Sequence, residues 1–173
     1  MLKNFNVKKS VPICLGLVIL LTFTFFTVSP YATNARIITI KSDAFIKEVI
    51  RLTNVERTNR GLAPLVENES LFKLAFLKSQ DMAVNKYFEH KSPVYGYPKE
   101  MMQRFNIKYD WLGENIGKTN SMTNTTPERL VKAWMESSTH RDNILNPNFT
   151  IVGVAYVKNS DGKLLWTQLF MKP

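Results

Sequence analysis

At Asn146-Pro147-Asn148 the hydrophobic pattern changes its period, and no other feature restricts the fold of this chain as much. Before this break, apolar residues recur at three- and four-residue intervals. After it, Phe149 to Val157 and Leu164 to Met171 are runs of β-branched and aromatic residues joined by the turn sequence Asn159-Ser160-Asp161-Gly162. The end of the chain therefore reads as an antiparallel hairpin. In the last run Trp166, Gln168 and Phe170 alternate with Leu165, Thr167 and Leu169 on opposite faces, and Gly153 would let another backbone approach the first run closely.

The helical part divides into segments. A helix is expected from about Asp43 to Asn59, capped by Ser42-Asp43 and stopped at Arg60-Gly61. Gly61 to Leu65 then forms an apolar-flanked turn. Asn68 caps a second helix that carries Leu71, Leu74, Ala75, Lys78 and Met82 and ends near Tyr87, with Phe72, Phe76 and Leu77 as packing residues. Tyr97 to Phe105, opened by Pro98, is a short third helix whose Met101 and Met102 belong to the core. Lys118 to Thr125 is a polar loop. Thr126-Pro127-Glu128 then opens a helix with a capping threonine, and Leu130, Val131 and Trp134 form its buried face.

Residues 1–35 read as a targeting segment. Lys3, Lys8 and Lys9 precede an uncharged apolar run from Val11 to Val28, and small residues follow up to Ala35. The run suits either a signal peptide cleaved after Ala35 or an uncleaved N-terminal membrane anchor. Lysines before the run keep the N-terminus inside, so everything after Arg36 is expected outside, secreted or held at the outer face of the cytoplasmic membrane. Residues 36–173 have the size of one domain and contain no cysteine, the single Cys14 lying in the apolar run. Stability must then come from packing rather than disulfides. The chain carries a formal charge of +9, or +6 without the three leader lysines. That surplus favours anionic cell-surface polymers or lipid headgroups as partners. Nucleic acid is disfavoured, because the basic residues are scattered among acidic ones.

Candidate chemistry sits in three places. His90 lies in Tyr87-Phe88-Glu89-His90-Lys91-Ser92-Pro93, between a helix end and a proline; it is either a capping residue or a positioned functional one. Glu114 stands between Gly113 and Gly117 in an extended segment, turned either outward or into a cleft. Trp134 to Leu145 crowds aromatic, acidic, imidazole and guanidinium groups, and holds His140, Arg141 and Asn143. As ordinary structure this stretch is a helix end whose last carbonyls are met by His140 and Arg141.

Taken together, Gly61-Leu-Ala-Pro-Leu65, His90-Lys-Ser-Pro93, Gly113-Glu-Asn-Ile-Gly117, Trp134-Met-Glu-Ser-Ser-Thr-His-Arg-Asp-Asn-Ile-Leu145 and Trp166-Thr-Gln-Leu-Phe170 resemble the CAP superfamily (cysteine-rich secretory, antigen 5 and pathogenesis-related-1 proteins; the SCP domain), in its cysteine-free bacterial branch. The resemblance implies an α+β fold, a three-layer α-β-α sandwich with an antiparallel sheet. It also implies a cleft where His90 and Glu114 converge. Animal and plant members place two histidines and two glutamates there. The position of their second histidine is Leu165 in this chain and that of their second glutamate is Ser137, so half of that set is absent. His140-Arg141 resembles the bacterial branch's own motif and offers a second imidazole.

Three readings follow for the cleft. In the favoured one it binds a ligand: a cell-wall polymer, a lipid, another exported protein, or zinc or another divalent metal held by His90 and His140 with Glu114 or Glu136 nearby. In the second it hydrolyses a substrate, with His90, Glu114 and His140 as catalytic groups, although no Gly-x-Ser-x-Gly elbow, His-Glu-x-x-His helix or cysteine nucleophile supports this. In the third the cluster only ties helix ends to the sheet. In every case Trp134, Arg141, Asn143, Trp166 and Gln168 are expected to hold the site in place.

Overall fold

The computed structural model describes residues 44–120 and 125–173. The leader, the Ser42-Asp43 cap and part of the polar loop lie outside the described residues. In order, the chain forms α1 (Ala44–Thr58), β1 (Val66–Glu67), α2 (Glu69–Val84), α3 (Pro98–Arg104), β2 (Trp111–Thr119), α4 (Pro127–Glu136), α5 (Ser138–Ile144), β3 (Ile151–Lys158) and β4 (Leu164–Lys172). Among the described residues no helix is long and apolar enough to cross a membrane.

The expected hairpin is present. β3 and β4 pair antiparallel from Ile151↔Met171 to Lys158↔Leu164, closed through Asn159 and Gly162, whose φ of 78° suits the glycine there. β2 joins the other side of β4, also antiparallel, from Trp111↔Lys172 to Thr119↔Leu164. The order β1-β3-β4-β2 thus leaves β2 at an edge. The two-residue β1 runs parallel to β3, an element too short for any periodicity to reveal.

Helices cover both faces of the sheet. On one, Ser79 Oγ of α2 meets Thr167 Oγ1 at 2.9 Å. On the other, Gln168 Nε2 donates to Thr53 Oγ1 of α1 at 3.0 Å, the Trp166 ring lies 5.1 Å from that of Phe45, and Leu130 and Trp134 of α4 crowd Gly117. β4 is consequently buried from Leu164 to Met171, which is why its alternation is between two interiors rather than between core and water. The architecture is the expected three-layer α-β-α sandwich. Gly153 fulfils its expected role: a Cβ there would stand 2.3 Å from the Leu71 carbonyl carbon, so α2 rides directly on β3.

Local signals set most of the boundaries. The Asn68 side chain accepts from Leu71 N at 3.0 Å, and Thr126 Oγ1 accepts from Arg129 N at 3.3 Å ahead of Pro127. Met101 and Met102 are buried in the core. Two boundaries and one added helix differ from the sequence reading. α2 stops at Val84, before Tyr87, because Lys86 adopts a left-handed φ of 55°. β2 extends through Thr119 into the expected loop, since Lys118 and Thr119 pair with Leu165 and Leu164. The crowded stretch after Trp134 is two helices: Ser137, at φ −87° and ψ 123°, ends α4 and begins α5.

One buried cation ties the helical layer together. Arg57 is 1% exposed and its guanidinium donates to the carbonyls of Ala63 (2.9 Å), Ile144 (2.8 Å), Asn146 (2.8 Å) and Phe149 (3.3 Å). Burial lowers its pKa, yet its planar fork satisfies the last carbonyl of α5 and the turn that leads into β3.

Candidate functional site

His90 lies on the loop between α2 and α3, and buried polar groups of α2 hold that loop. Lys78, 2% exposed, donates from Nζ to the carbonyls of Glu89 and His90, both at 2.7 Å, and to Tyr87 Oη at 3.2 Å. Burial lowers the Lys78 pKa, while the charges of Glu114, Asp81 and Glu89 work against that. Asp81 accepts from Tyr87 Oη and Ser92 Oγ, both at 2.5 Å, and from Asn85 Nδ2 at 2.6 Å. Burial and the Asp81 bond push the Tyr87 hydroxyl well above its ordinary range. Ser92 Oγ also accepts from Val94 N and Tyr95 N. Its hydroxyl thus holds the loop and is buried with it, at 3% exposure.

Glu114 is turned inward. From the middle of β2 its Oε1 accepts from His90 Nδ1 at 2.7 Å, its side chain 3% exposed against 50% for the imidazole. With Nδ1 turned to Glu114, Nε2 is the ring nitrogen left to the cleft. His140 is on α5, half-buried; burial first, and the nearby His90 second, lower its pKa. A cavity of about 490 Å³ brings the two histidines together at the β2 edge. Phe88, Ile116, Leu130, Ala133 and Trp134 give it apolar walls, and Lys118, Arg129 and Ser137 add polar groups.

A chain of side-chain amides fastens α5 to the sheet. Asn115 Nδ2 donates to the His140 carbonyl and to Gln168 Oε1, each at 3.1 Å. Asn143 Nδ2 donates to Asn115 Oδ1 at 2.9 Å and to the Glu114 carbonyl at 3.1 Å. Trp134 Nε1 donates to the Ile116 carbonyl at 3.2 Å, and Trp166 Nε1 to Thr119 Oγ1 at 3.1 Å. Arg141 donates to the Met135 carbonyl at 3.0 Å, meeting the end of α4. His140 instead faces the cavity. Asn115, the hub of this chain, stands beside Glu114 but carries no local pattern that marks it. Lys78 carries a signal, an ammonium within an apolar stripe, which needs buried acceptors such as the Glu89 and His90 carbonyls.

The donors fit a metal poorly. Glu136 lies before the Ser137 break and faces Lys132 at 3.8 Å, so it shares no helix face with His140. Leu165 packs with Met82 and Ile116. Among the described residues no three His, Cys, Asp or Glu side chains are grouped to hold an ion.

The model of the cysteine-rich secretory protein family, CAP, matches residues 50–170. The chain belongs to the CAP family. This CAP domain is 52% identical over 128 residues to the uncharacterized protein YkwD of Bacillus subtilis, covering 74% of this chain and 47% of that protein. It is also similar to an extracellular SCP-domain protein of Bacillus anthracis, at 30% identity and a TM-score of 0.64, covering 74% of this chain and 40% of that one. An outer surface protein of Borrelia burgdorferi shares the fold at 19% identity and a TM-score of 0.67, over 76% of this chain and 95% of that one. The chain thus spans less than half of the two Bacillus proteins.

Proposed function

We propose that this CAP domain is an exported binding module whose cleft engages a component of the cell envelope, either as a secreted protein or from an anchor at the outer face of the cytoplasmic membrane. The observation that carries this reading is the cavity of about 490 Å³, apolar in its walls and edged by two imidazoles, Lys118 and Arg129. Apolar walls with a few basic groups suit an amphipathic, anionic ligand. The net charge of +9, or +6 without the leader lysines, brings such surfaces closer, and the extracellular and outer-surface relatives support the location.

Retention on isolated cell envelopes tests the reading. The protein is expected to bind and to be released by high salt, and Ala133→Trp, which fills the cavity from an exposed position, is expected to abolish retention. Retention unchanged by Ala133→Trp would sink it.

One observation favours a second reading, hydrolysis. A buried carboxylate holding Nδ1 of a half-exposed imidazole is the arrangement of a general base, with His90 Nε2 placed to take a proton from water. Turnover of a wall peptide or glycan pool, lost in His90→Ala, would establish it.

A further inference from the structure

We propose that the ligand is a glycan strand bearing carboxylate groups, lying along the whole of β2 and held at its far end by a second, aromatic groove. This deepens the binding reading and rests on it. At the start of β2 a cavity of about 590 Å³ is lined by Tyr97, Tyr109 and Trp111 together with Lys99, Asp110 and Glu114. Tyr97 is 50% and Trp111 47% exposed, and among the described residues neither ring packs against another aromatic ring. Exposed aromatic rings beside a groove, with no other ring stacked on them, suit a flat, weakly polar partner.

The two cavities flank one contact. Glu114 lines the second, His90 the first, and they are 2.7 Å apart. Trp111 to Glu114 border one cavity and Ile116 to Thr119 the other, so the two adjoin successive parts of one strand. Nine extended residues cover about 30 Å. That length suits a polymer.

Chemistry selects the kind of polymer. The C–H face of a sugar ring carries partial positive charge and stacks on the negative face of an indole or phenol, while its hydroxyls suit Asp110 and the tyrosine hydroxyls. Cations stand at both ends of the track: Lys91 Nζ lies 5.8 Å over the Tyr97 ring and Lys118 Nζ 5.0 Å over the Phe88 ring. Among the described residues neither pairs with a carboxylate, whereas Asp110 faces Lys172 at 3.8 Å and Lys99 faces Glu100 at 3.5 Å. Carboxylates on the ligand would complete Lys91 and Lys118. A peptide would instead add to the free edge of β2 as a further strand. Two carbonyls of that strand, Glu114 and Ile116, already accept from Asn143 and Trp134, which leaves a peptide no continuous ladder.

The test is calorimetric titration of the intact protein with alternating N-acetylglucosamine and N-acetylmuramic acid oligosaccharides. The hexasaccharide is expected to bind about tenfold tighter than the disaccharide. Trp111→Ala and Tyr97→Ala are each expected to weaken the hexasaccharide about tenfold without changing the melting temperature, both side chains being exposed. Affinity independent of length, wild-type affinity in either variant, or equal competition by a wall peptide free of sugar would each overturn the proposal. If Trp111→Ala is silent while Ala133→Trp still abolishes envelope retention, the glycan track fails and the binding cleft stands. If Ala133→Trp is silent too, both fail.

Discussion

His90 Nδ1 and Glu114 Oε1 meet at 2.7 Å across a boundary of exposure, the carboxyl side chain 3% accessible and the imidazole 50%. The pair joins a loop to an edge strand, and its partners extend inward on both sides. Lys78 holds the His90 carbonyl and Asn143 holds the Glu114 carbonyl. An imidazole in this setting has one fixed nitrogen and one presented to the cleft.

Glu114→Gln should loosen that arrangement while keeping the fold. The amide still occupies the site but no longer supplies a charged acceptor, so we expect a loss of about 1 kcal/mol in urea denaturation. Nitrogen-15 NMR of His90 should show the proton redistributed between Nδ1 and Nε2. An unchanged tautomer would mean that the loop alone orients the ring.

Arg57→Ala should be far more damaging. It leaves a void and strips a charged donor from four carbonyls, three of them between α5 and the start of β3. We expect a cost of about 3 kcal/mol or more by denaturant titration. Arg57→Lys should recover less than half of that, because an ammonium cannot reproduce the planar fork.

Gly153→Ala tests the seating of α2. The added methyl would meet Leu71 and Phe72 backbone atoms at 2.3 and 2.4 Å, and backbone cannot swing aside as a side-chain tip can. A loss of about 3 kcal/mol is expected, seen as a fall in melting temperature. A variant as stable as the parent would show that α2 can lift from the sheet without penalty.

The pH dependence of stability should carry a mark of His140. Burial and the neighbouring His90 hold its pKa below the ordinary value, so folding disfavours its protonation. Above about pH 6.5 the group is neutral folded or unfolded; below that, the unfolded chain takes a proton that the folded chain resists. Stability should therefore fall as pH drops through this window and level off below the lowered value. Urea midpoints between about pH 8 and pH 5 should show a shallower slope in His140→Gln.

The hairpin, the capped starts of α2 and α4, and the turn chemistry at Asn159 to Gly162 were legible because each rests on neighbouring residues: period, caps and glycine act within a few positions. The same holds for the helix break near Ser137, whose neighbours favour an ending. Gly153 could be read as a point of close approach, since only a missing Cβ was needed to say so.

What lies across the chain was not legible in the residues themselves, although the CAP resemblance implied that His90 and Glu114 converge. The inward turn of Glu114 depends on a loop 24 residues earlier in sequence, and the anchoring of the His140 backbone on Asn115, 25 residues away. The four carbonyls gathered by Arg57 are spread from Ala63 to Phe149. No local pattern encodes such pairs, because they form only when packing removes water and leaves each buried polar group a single partner within reach. The sequence by itself determined which segments would be helix or strand and which residues could carry charge into a cleft. The tertiary structure alone decided that β2 would be an edge strand, and so that His90, Glu114 and His140 would border open cavities.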